Sequence, residues 1–183
     1  MIVPSSAGKD SARVAHELKY NYNMNPLTVT WAPHVYTDIG YSNFQNMIHS
    51  GFSNILGTAD GKIHRRLTSI SFQELGEPFQ PFIYGQKSFP LQIAVAYGIP
   101  LIMDGENAEE EYGGDEAAGG ISGSDLEHAL RYYFSNMPVE SWKEYGFTDK
   151  ELHVYKPPSI DQVMSLGLEL ALFSYFKKRI PQE

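Results

Sequence analysis

Two kinds of hydrophobic pattern alternate along the chain. Short runs rich in β-branched and aromatic residues predict strands, and longer stretches with apolar residues every three or four positions predict helices. The predicted strands are residues 2–4, 27–32, 52–58 and 99–103. Residues 168–176, after Gly167, are expected either to continue the last helix or to form a fifth strand, and the strand is the preferred interpretation. The predicted helices are a first one ending near Tyr20 and others at 41–50, 64–75, 88–97 and from 160. This alternation predicts an α/β fold, a parallel twisted sheet with helices on both faces.

Glycines and prolines set the expected helix boundaries in the middle of the chain. Gly76, Pro78 and Pro81 predict a loop, and Pro90 is tolerated if its helix begins near Ser88. In helix 64–75 the side chains expected to face the core are those of Leu67, Ile70, Ser71 and Leu75. His49 and His64 are interpreted as surface or partly buried structural residues.

The second half of the chain begins with an acidic, glycine-rich segment at about 106–123, which is expected to be a mobile surface loop or a lid over a site. The part at about 124–183 is expected to be largely helical, apart from the strand after Gly167. Its helix starts are indicated by three capping boxes, Ser124 with Glu127, Thr148 with Glu151 and Ser159 with Gln162. The 183 residues are predicted to form a single domain.

Composition narrows the possible functions. A net charge of −8 argues against a fixed basic surface for nucleic acid, so no nucleic-acid partner is expected. No apolar run approaches the roughly 20 residues that span a bilayer, and no signal peptide is recognisable. The chain has no cysteine, which excludes disulfides, thiolate zinc sites and a cysteine nucleophile within it. A cytoplasmic location is the expectation.

The stretch from Ile2 to Ser11 is the strongest candidate for chemistry. A short strand, a turn of small residues and a helix follow one another, and this layout presents backbone N–H groups and a helix dipole to an anion. Ligands bind parallel sheets at the carboxyl ends of the strands. The Ser5–Ser11 turn is therefore expected to share one rim with the Trp31–Tyr36 and Asp104–Asn107 loops.

The turn Ser6-Ala7-Gly8-Lys9-Asp10-Ser11 resembles the pyrophosphate loop, SGGxDS, of the PP-loop ATP pyrophosphatases. Ala7 replaces the first glycine of that motif. If the position needs a positive φ, alanine strains the turn, whereas a position that needs only a small residue accepts it.

Further segments resemble one branch of this superfamily, the N-acetyl sugar amidotransferases of lipopolysaccharide O-antigen and flagellar sugar biosynthesis. The similar segments are 26–38, 43–45, 48–52, 78–87 and 105–107, in the family's order. The resemblance implies an adenine nucleotide alpha hydrolase-like, Rossmann-like domain. Family members are longer at both ends, so the chain is expected to be their nucleotide-binding core without the N- and C-terminal parts.

The resemblance implies an ATP- and Mg²⁺-dependent enzyme. ATP would adenylate the amide oxygen of an N-acetyl group on a nucleotide-linked sugar or sugar acid, with release of pyrophosphate. Ammonia from a separate glutaminase subunit would displace AMP and leave an acetamidino group. Two alternatives stay open: a degenerate ATP-binding module without turnover, and a PP-loop ligase that acts on tRNA or another amide. A homo-oligomer is possible under each of them.

The resemblance also implies residue roles. Ser6, Ala7, Gly8 and Ser11 would form the pyrophosphate loop, and Lys9 would either pair with phosphate or face solvent. Asp10 and Glu106 would hold Mg²⁺. Trp31 and Ala32 would lie near the adenine. Gln86 and Lys87 are expected to open a helix towards the rim, with Lys87 as a second phosphate contact. The expected sugar contacts are His34, Tyr36, Gln86 and Asn107, and the expected catalytic residues are Asp10, Lys87 and Glu106.

Overall fold

The computed structural model describes residues 1–105 and 137–177. The strands are β1 (Ile2–Pro4), β2 (Leu27–Trp31), β3 (Asn54–Gly57), β4 (Leu101–Asp104) and β5 (Glu169–Leu172). The helices are α1 (Lys9–His16), α2 (Asp38–His49), α3 (Gly61–Leu75), α4 (Gln80–Tyr97), α5 (Asp149–Leu152) and α6 (Ile160–Leu166). A π-helical segment (Glu17–Asn21) extends α1, and the 3-10 segments are Val139–Tyr145, His153–Tyr155 and Phe173–Tyr175.

Within these ranges the strands form one parallel sheet in the order β3-β2-β1-β4-β5. Ile2 on β1 lies opposite Leu27 on β2 and Ile102 on β4. The chain builds one half of the sheet outwards from β1 and then returns to build the other half from β4. The boundary between β1 and β4 is therefore a topological switch point. The predicted α/β fold with a parallel sheet is confirmed.

Helices cover both faces of the sheet, because successive strand residues point in opposite directions. Val3 packs with Val14 of α1 and Phe44 of α2 on one face. Ile2 packs with Leu91 of α4 and Val163 of α6 on the other. A third cluster joins Trp31 at the end of β2 to α3, α4 and the chain after residue 137; its most deeply buried large members are Leu67, Tyr84, Trp142, Leu152 and Tyr155.

Helix α4 differs most from the expectation, since it begins at Gln80 and not near Ser88. Pro81 lies in its first turn, where a missing N–H breaks no hydrogen bond. Pro90 lies inside the helix, so the bond that its N–H would make to the Gln86 carbonyl is absent. The predicted loop through Pro81 and the first-turn position of Pro90 were wrong.

Smaller differences concern α2 and α3. Helix α2 starts at Asp38, ahead of the predicted Tyr41, because the Thr37 hydroxyl accepts the Gly40 N–H at 3.0 Å and caps the helix. Leu75, expected to face the core, is exposed at the end of α3. His64 is buried at 4% exposure, deeper than its interpretation as a surface or partly buried residue.

The chain from residue 137 onwards is fastened to α4. The Ser88 hydroxyl donates to the Tyr155 carbonyl at 2.8 Å, and the Gln92 side chain donates to the His153 carbonyl at 2.9 Å. The capping boxes at Thr148 and Ser159 are confirmed. So is the strand after Gly167. The capping box Ser124 with Glu127 and the 106–123 segment lie outside the described residues.

Candidate functional site

A cavity of about 280 Å³ opens at the switch point, where β1 and β4 end side by side. This is close to the lower limit of roughly 300 Å³ for small-molecule sites, so a nucleotide-sized ligand would extend over the open rim. Apolar side chains form its floor: Val29, Trp31, Pro90, Leu91, Ile102 and Leu170. Pro4, Pro33 and Phe82 also line it, together with Gly8 and the polar or charged residues Ser5, Ser6, Asp10, Ser11, Gln86, Lys87 and Asp104.

Hydrogen bonds fix the turn between β1 and α1. The Ser5 N–H donates to the Val29 carbonyl at 2.8 Å, and the Thr30 hydroxyl donates to the Ser5 carbonyl at 2.6 Å. The Ser5 hydroxyl accepts the Ala7 N–H at 3.0 Å and lies 2.9 Å from the Ser11 hydroxyl. The turn is thus tied to strand β2 on one side and to helix α1 on the other.

Ala7 replaces a glycine of the motif, and its backbone φ decides between the two expectations for that replacement. Its φ is +61°, in the left-handed region that alanine adopts at a cost. Its side chain is buried with Val3 and Val14 in the core beside α1. The position therefore needs a positive φ, and of the two expectations for Ala7 the strained turn is the one observed.

The N-terminus of α1 faces the cavity. Its N-cap is Gly8, which has no side chain to cap the first-turn N–H groups. Gly8, Asp10 and Ser11 all line the cavity. The Ser6 hydroxyl accepts the Gly8 N–H at 3.4 Å and holds that residue in place. The first-turn N–H groups of a helix and the positive end of its dipole favour an anion at such a position.

Charged side chains from three elements meet at the cavity. Lys87 reaches it from α4, Asp10 from α1 and Asp104 from the end of β4. Gly105 lets β4 approach α1 closely, since a Cβ there would lie only 3.1 Å from Cγ2 of Val14 on α1. The site thus has a cationic side chain and a helix N-terminus, which suit an anion. It also has carboxylates, which suit a cation.

Asp10 and Asp104 carry carboxylates of the kind that bind Mg²⁺ together with phosphate oxygens. Within the described ranges no group of three or more His, Cys, Asp or Glu residues gathers that could hold a metal ion. Mg²⁺ does not need such a cage, because it is commonly held by one or two carboxylates together with phosphate oxygens and water. Asp10 and Asp104 would be its protein ligands.

Trp31 and Ala32, expected near an adenine, differ in their accessibility to a ligand. Trp31 lines the cavity but is mostly covered by α4, because Gly85 approaches its ring so closely that a Cβ would lie 2.2 Å from Cε2. Ala32 does not line the cavity, and its N–H donates to the Gly57 carbonyl at 2.8 Å. That N–H therefore already has a backbone partner within the sheet.

Of the expected sugar contacts in the described residues, Gln86 lines the cavity, whereas His34 and Tyr36 do not. Gln86 lines the cavity, although it sits inside α4 and does not open it. His34 is exposed, next to the lining residue Pro33. The Tyr36 ring packs near that of Phe44, its hydroxyl is buried, and burial raises the pKa of that hydroxyl.

Two further predictions for the site concern Lys9 and the pair Glu106 and Asn107. Lys9 lies in the first turn of α1, exposed and outside the cavity lining. Glu106 and Asn107 lie outside the described residues, so their predicted roles stay predictions.

Sequence reasoning placed Ser5 and Asp104 in loops of the predicted rim but gave neither residue a role in the site. Asp104 ends β4 on the predicted ligand-binding rim, so its position was a usable signal. Ser5 precedes the motif, and its role depends on its bonds to Ala7 and Ser11, which the sequence pattern does not reveal.

The sequence matches no protein-family model, and a search of curated proteins finds no relative. The resemblance to the N-acetyl sugar amidotransferases therefore stays a prediction. In the described ranges, no helix has both the length and the apolar character needed to cross a membrane.

Proposed function

We propose that the chain binds MgATP at the switch-point cavity and is the ATP-dependent core of an N-acetyl sugar amidotransferase. One observation carries the nucleotide part of this proposal: the uncapped N-terminus of α1 opens into a cavity that also receives Lys87, Asp10 and Asp104. An anion and a divalent cation can be accommodated there together, as MgATP requires. The sugar and the amide chemistry rest on the sequence resemblance.

Each group of residues has a distinct task in this proposal. The first-turn N–H groups of α1 and the hydroxyls of Ser6 and Ser11 bind the phosphates, and Lys87 neutralises their charge from α4. Asp10 and Asp104 hold Mg²⁺. ATP supplies the AMP group that turns a poorly reactive amide oxygen into a leaving group. Glutamine-derived ammonia from a separate glutaminase subunit then replaces that oxygen, in the cytoplasm and without nucleic acid.

Ala7 favours a second candidate, an ATP-binding module without turnover. Its left-handed backbone lies within the turn that would hold the departing pyrophosphate. A strained turn has less freedom to adjust its N–H groups between substrate and product. Nucleotide binding could then persist while pyrophosphate release is lost.

Pyrophosphate release separates the two candidates. The purified chain is mixed with MgATP, ammonium chloride and N-acetylated nucleotide sugars as probes, and free pyrophosphate is measured. Pyrophosphate that appears only with an N-acetylated sugar, and not with its deacetylated counterpart, supports the amidotransferase. Binding of MgATP without pyrophosphate under any of these conditions supports the module.

A further inference from the structure

Helix α4 presents one face to the cavity. The lining residues that it contributes are Phe82, Gln86, Lys87, Pro90 and Leu91. Residues four positions apart lie above one another on a helix, so these five share one side of α4. Pro90 and Leu91 are buried there, whereas Gln86 and Lys87 are partly exposed. This side of α4 therefore brings both apolar and polar groups to the space that a ligand would occupy.

Pro90 frees a backbone carbonyl on that face. In an α-helix the carbonyl of one residue accepts the N–H of the residue four positions later, and it lies on the helix surface between the two. The carbonyl that Pro90 leaves without this N–H is that of Gln86. In the described part of the chain no donor outside α4 bonds to it. A hydrogen-bond acceptor thus lies between two residues that line the cavity.

The groups around this carbonyl restrict what it can bind. An acceptor beside apolar side chains costs free energy unless a donor reaches it. Phosphate and carboxylate oxygens are acceptors themselves and supply no such donor. Pro90 and Leu91 add apolar surface on the same face, and Lys87 adds a cation next to Gln86 along the chain. A secondary acetamide matches all three features, because it has a methyl group, an N–H donor and an electron-rich oxygen.

We propose that the Gln86 carbonyl, freed by Pro90, binds the N–H of the substrate's acetamido group. The acetyl methyl packs on Pro90 and Leu91, and the amide oxygen points towards phosphates held by Lys87 and by the N-terminus of α1. This assignment rests on the proposed function and adds the group that determines its specificity. A secondary acetamide is accepted, whereas an ester or a tertiary amide leaves the carbonyl unpaired.

The same contact assists the first chemical step. The amide oxygen forms a bond to the α-phosphorus of ATP, and the bond from that phosphorus to the bridging oxygen breaks, with its electron pair leaving on pyrophosphate. The lone pair of the amide nitrogen moves into the carbon–nitrogen bond, so positive charge develops at the N–H. The Gln86 carbonyl stabilises that charge through a hydrogen bond that strengthens in the transition state. No proton is transferred in this step.

Two small amides test the contact without any nucleotide. N-methylacetamide has the methyl, carbonyl and N–H of an acetamido group, whereas N,N-dimethylacetamide lacks the N–H. Each is titrated into the ¹³C- and ¹⁵N-labelled chain, and NMR follows the carbonyl carbon of Gln86. We expect a saturable shift of that carbon with N-methylacetamide and at least about fivefold weaker binding of N,N-dimethylacetamide. Equal binding of the two amides, or no saturable shift with either, would overturn the proposal.

Pro90→Ala supplies the missing N–H, which then occupies the Gln86 carbonyl inside the helix. Pro81→Ala is the matched control, because Pro81 lies in the first turn of α4, where an N–H meets no helical carbonyl, and outside the cavity lining. Pro90→Ala should bind the two amides alike, and Pro81→Ala should keep the original preference. Loss of the proline ring alone would weaken both amides equally. An unchanged preference in folded Pro90→Ala, checked by circular dichroism, therefore contradicts the role of the carbonyl.

MgATP keeps this proposal apart from the proposed function. If the chain binds no MgATP or releases no pyrophosphate, the amidotransferase proposal fails, and the amide preferences still decide what the Gln86 carbonyl binds. If pyrophosphate is released with an N-acetylated nucleotide sugar, Pro90→Ala should lower kcat/KM for that sugar at least about fivefold, and Pro81→Ala should not. An undiminished kcat/KM in Pro90→Ala would overturn the role of the carbonyl in the reaction.

Discussion

The N–H of Ala7 donates to the hydroxyl of Ser5 at 3.0 Å, and Ala7 makes this bond with its backbone in the left-handed region. The bond and the strain occur in the same turn, so the turn is held in a conformation that a glycine would adopt more easily. This relationship leads to the first prediction.

Ala7→Gly should leave the protein as stable or stabilise it by up to about 1 kcal/mol. Relief of the left-handed alanine is worth roughly 1–2 kcal/mol, and loss of the buried methyl costs about 0.8 kcal/mol. The same chemical change at Ala12, inside α1, should destabilise by about 1 kcal/mol, because glycine weakens a helix interior. Urea denaturation of both variants measures the difference. Equal losses of stability at the two positions would contradict the role of the backbone at Ala7.

Gly85→Ala should destabilise the chain by more than about 2 kcal/mol. The added Cβ would lie 2.2 Å from the Trp31 ring, and neither α4 nor β2 can move apart without losing buried contacts. Gly61→Ala is the matched control, because nothing lies within 4 Å of a Cβ at the start of α3. Thermal unfolding and tryptophan fluorescence should both change in the first variant only. An unaltered melting temperature for Gly85→Ala would show that α4 is not packed against Trp31 as described.

His64 should make the free energy of unfolding depend on pH. Because its pKa is lowered in the folded state, the unfolded chain binds a proton that the folded chain rejects between the ordinary value of 6.5 and about 4. The contribution of neutral His64 to the free energy of unfolding is complete above pH 6.5, and it falls by about 3 kcal/mol as the pH drops to 4. Asp149, whose pKa the Lys143 and Lys156 ammonium groups lower to about 2, acts at more acid pH. His64→Gln should flatten the profile in that window, and His49→Gln should leave it unchanged.

Lys87→Gln should weaken MgATP binding roughly tenfold while leaving the fold intact, because a charge-assisted bond to phosphate is replaced by a neutral one. Lys62→Gln is the control, since Lys62 is exposed on α3 and does not line the cavity. Calorimetry at two salt concentrations measures both variants. A Lys87→Gln chain that binds as tightly as the unmodified one would remove α4 from the proposed phosphate site.

Some of this site could be predicted from local sequence and some could not. The β1–turn–α1 arrangement follows from small residues between a short apolar run and a helix start, and the rim follows from parallel topology. The beginning of α4 was misjudged because Pro81 looks like a loop residue, although a first helical turn accepts proline equally well. The burial of His64 depends on Tyr155, 91 positions away, and no local pattern reveals such a pair.

The central claim is that MgATP binds at the switch-point cavity, and Asp10→Ala tests it most directly. MgATP is titrated by calorimetry into the unmodified chain, into Asp10→Ala and into Asp161→Ala, which removes an acidic side chain from the first turn of α6, away from the cavity. We predict binding that Asp10→Ala weakens at least roughly tenfold, because Mg²⁺ loses a carboxylate, and that Asp161→Ala leaves unchanged. A folded chain that binds no MgATP, or that binds it equally well without Asp10, would contradict the account.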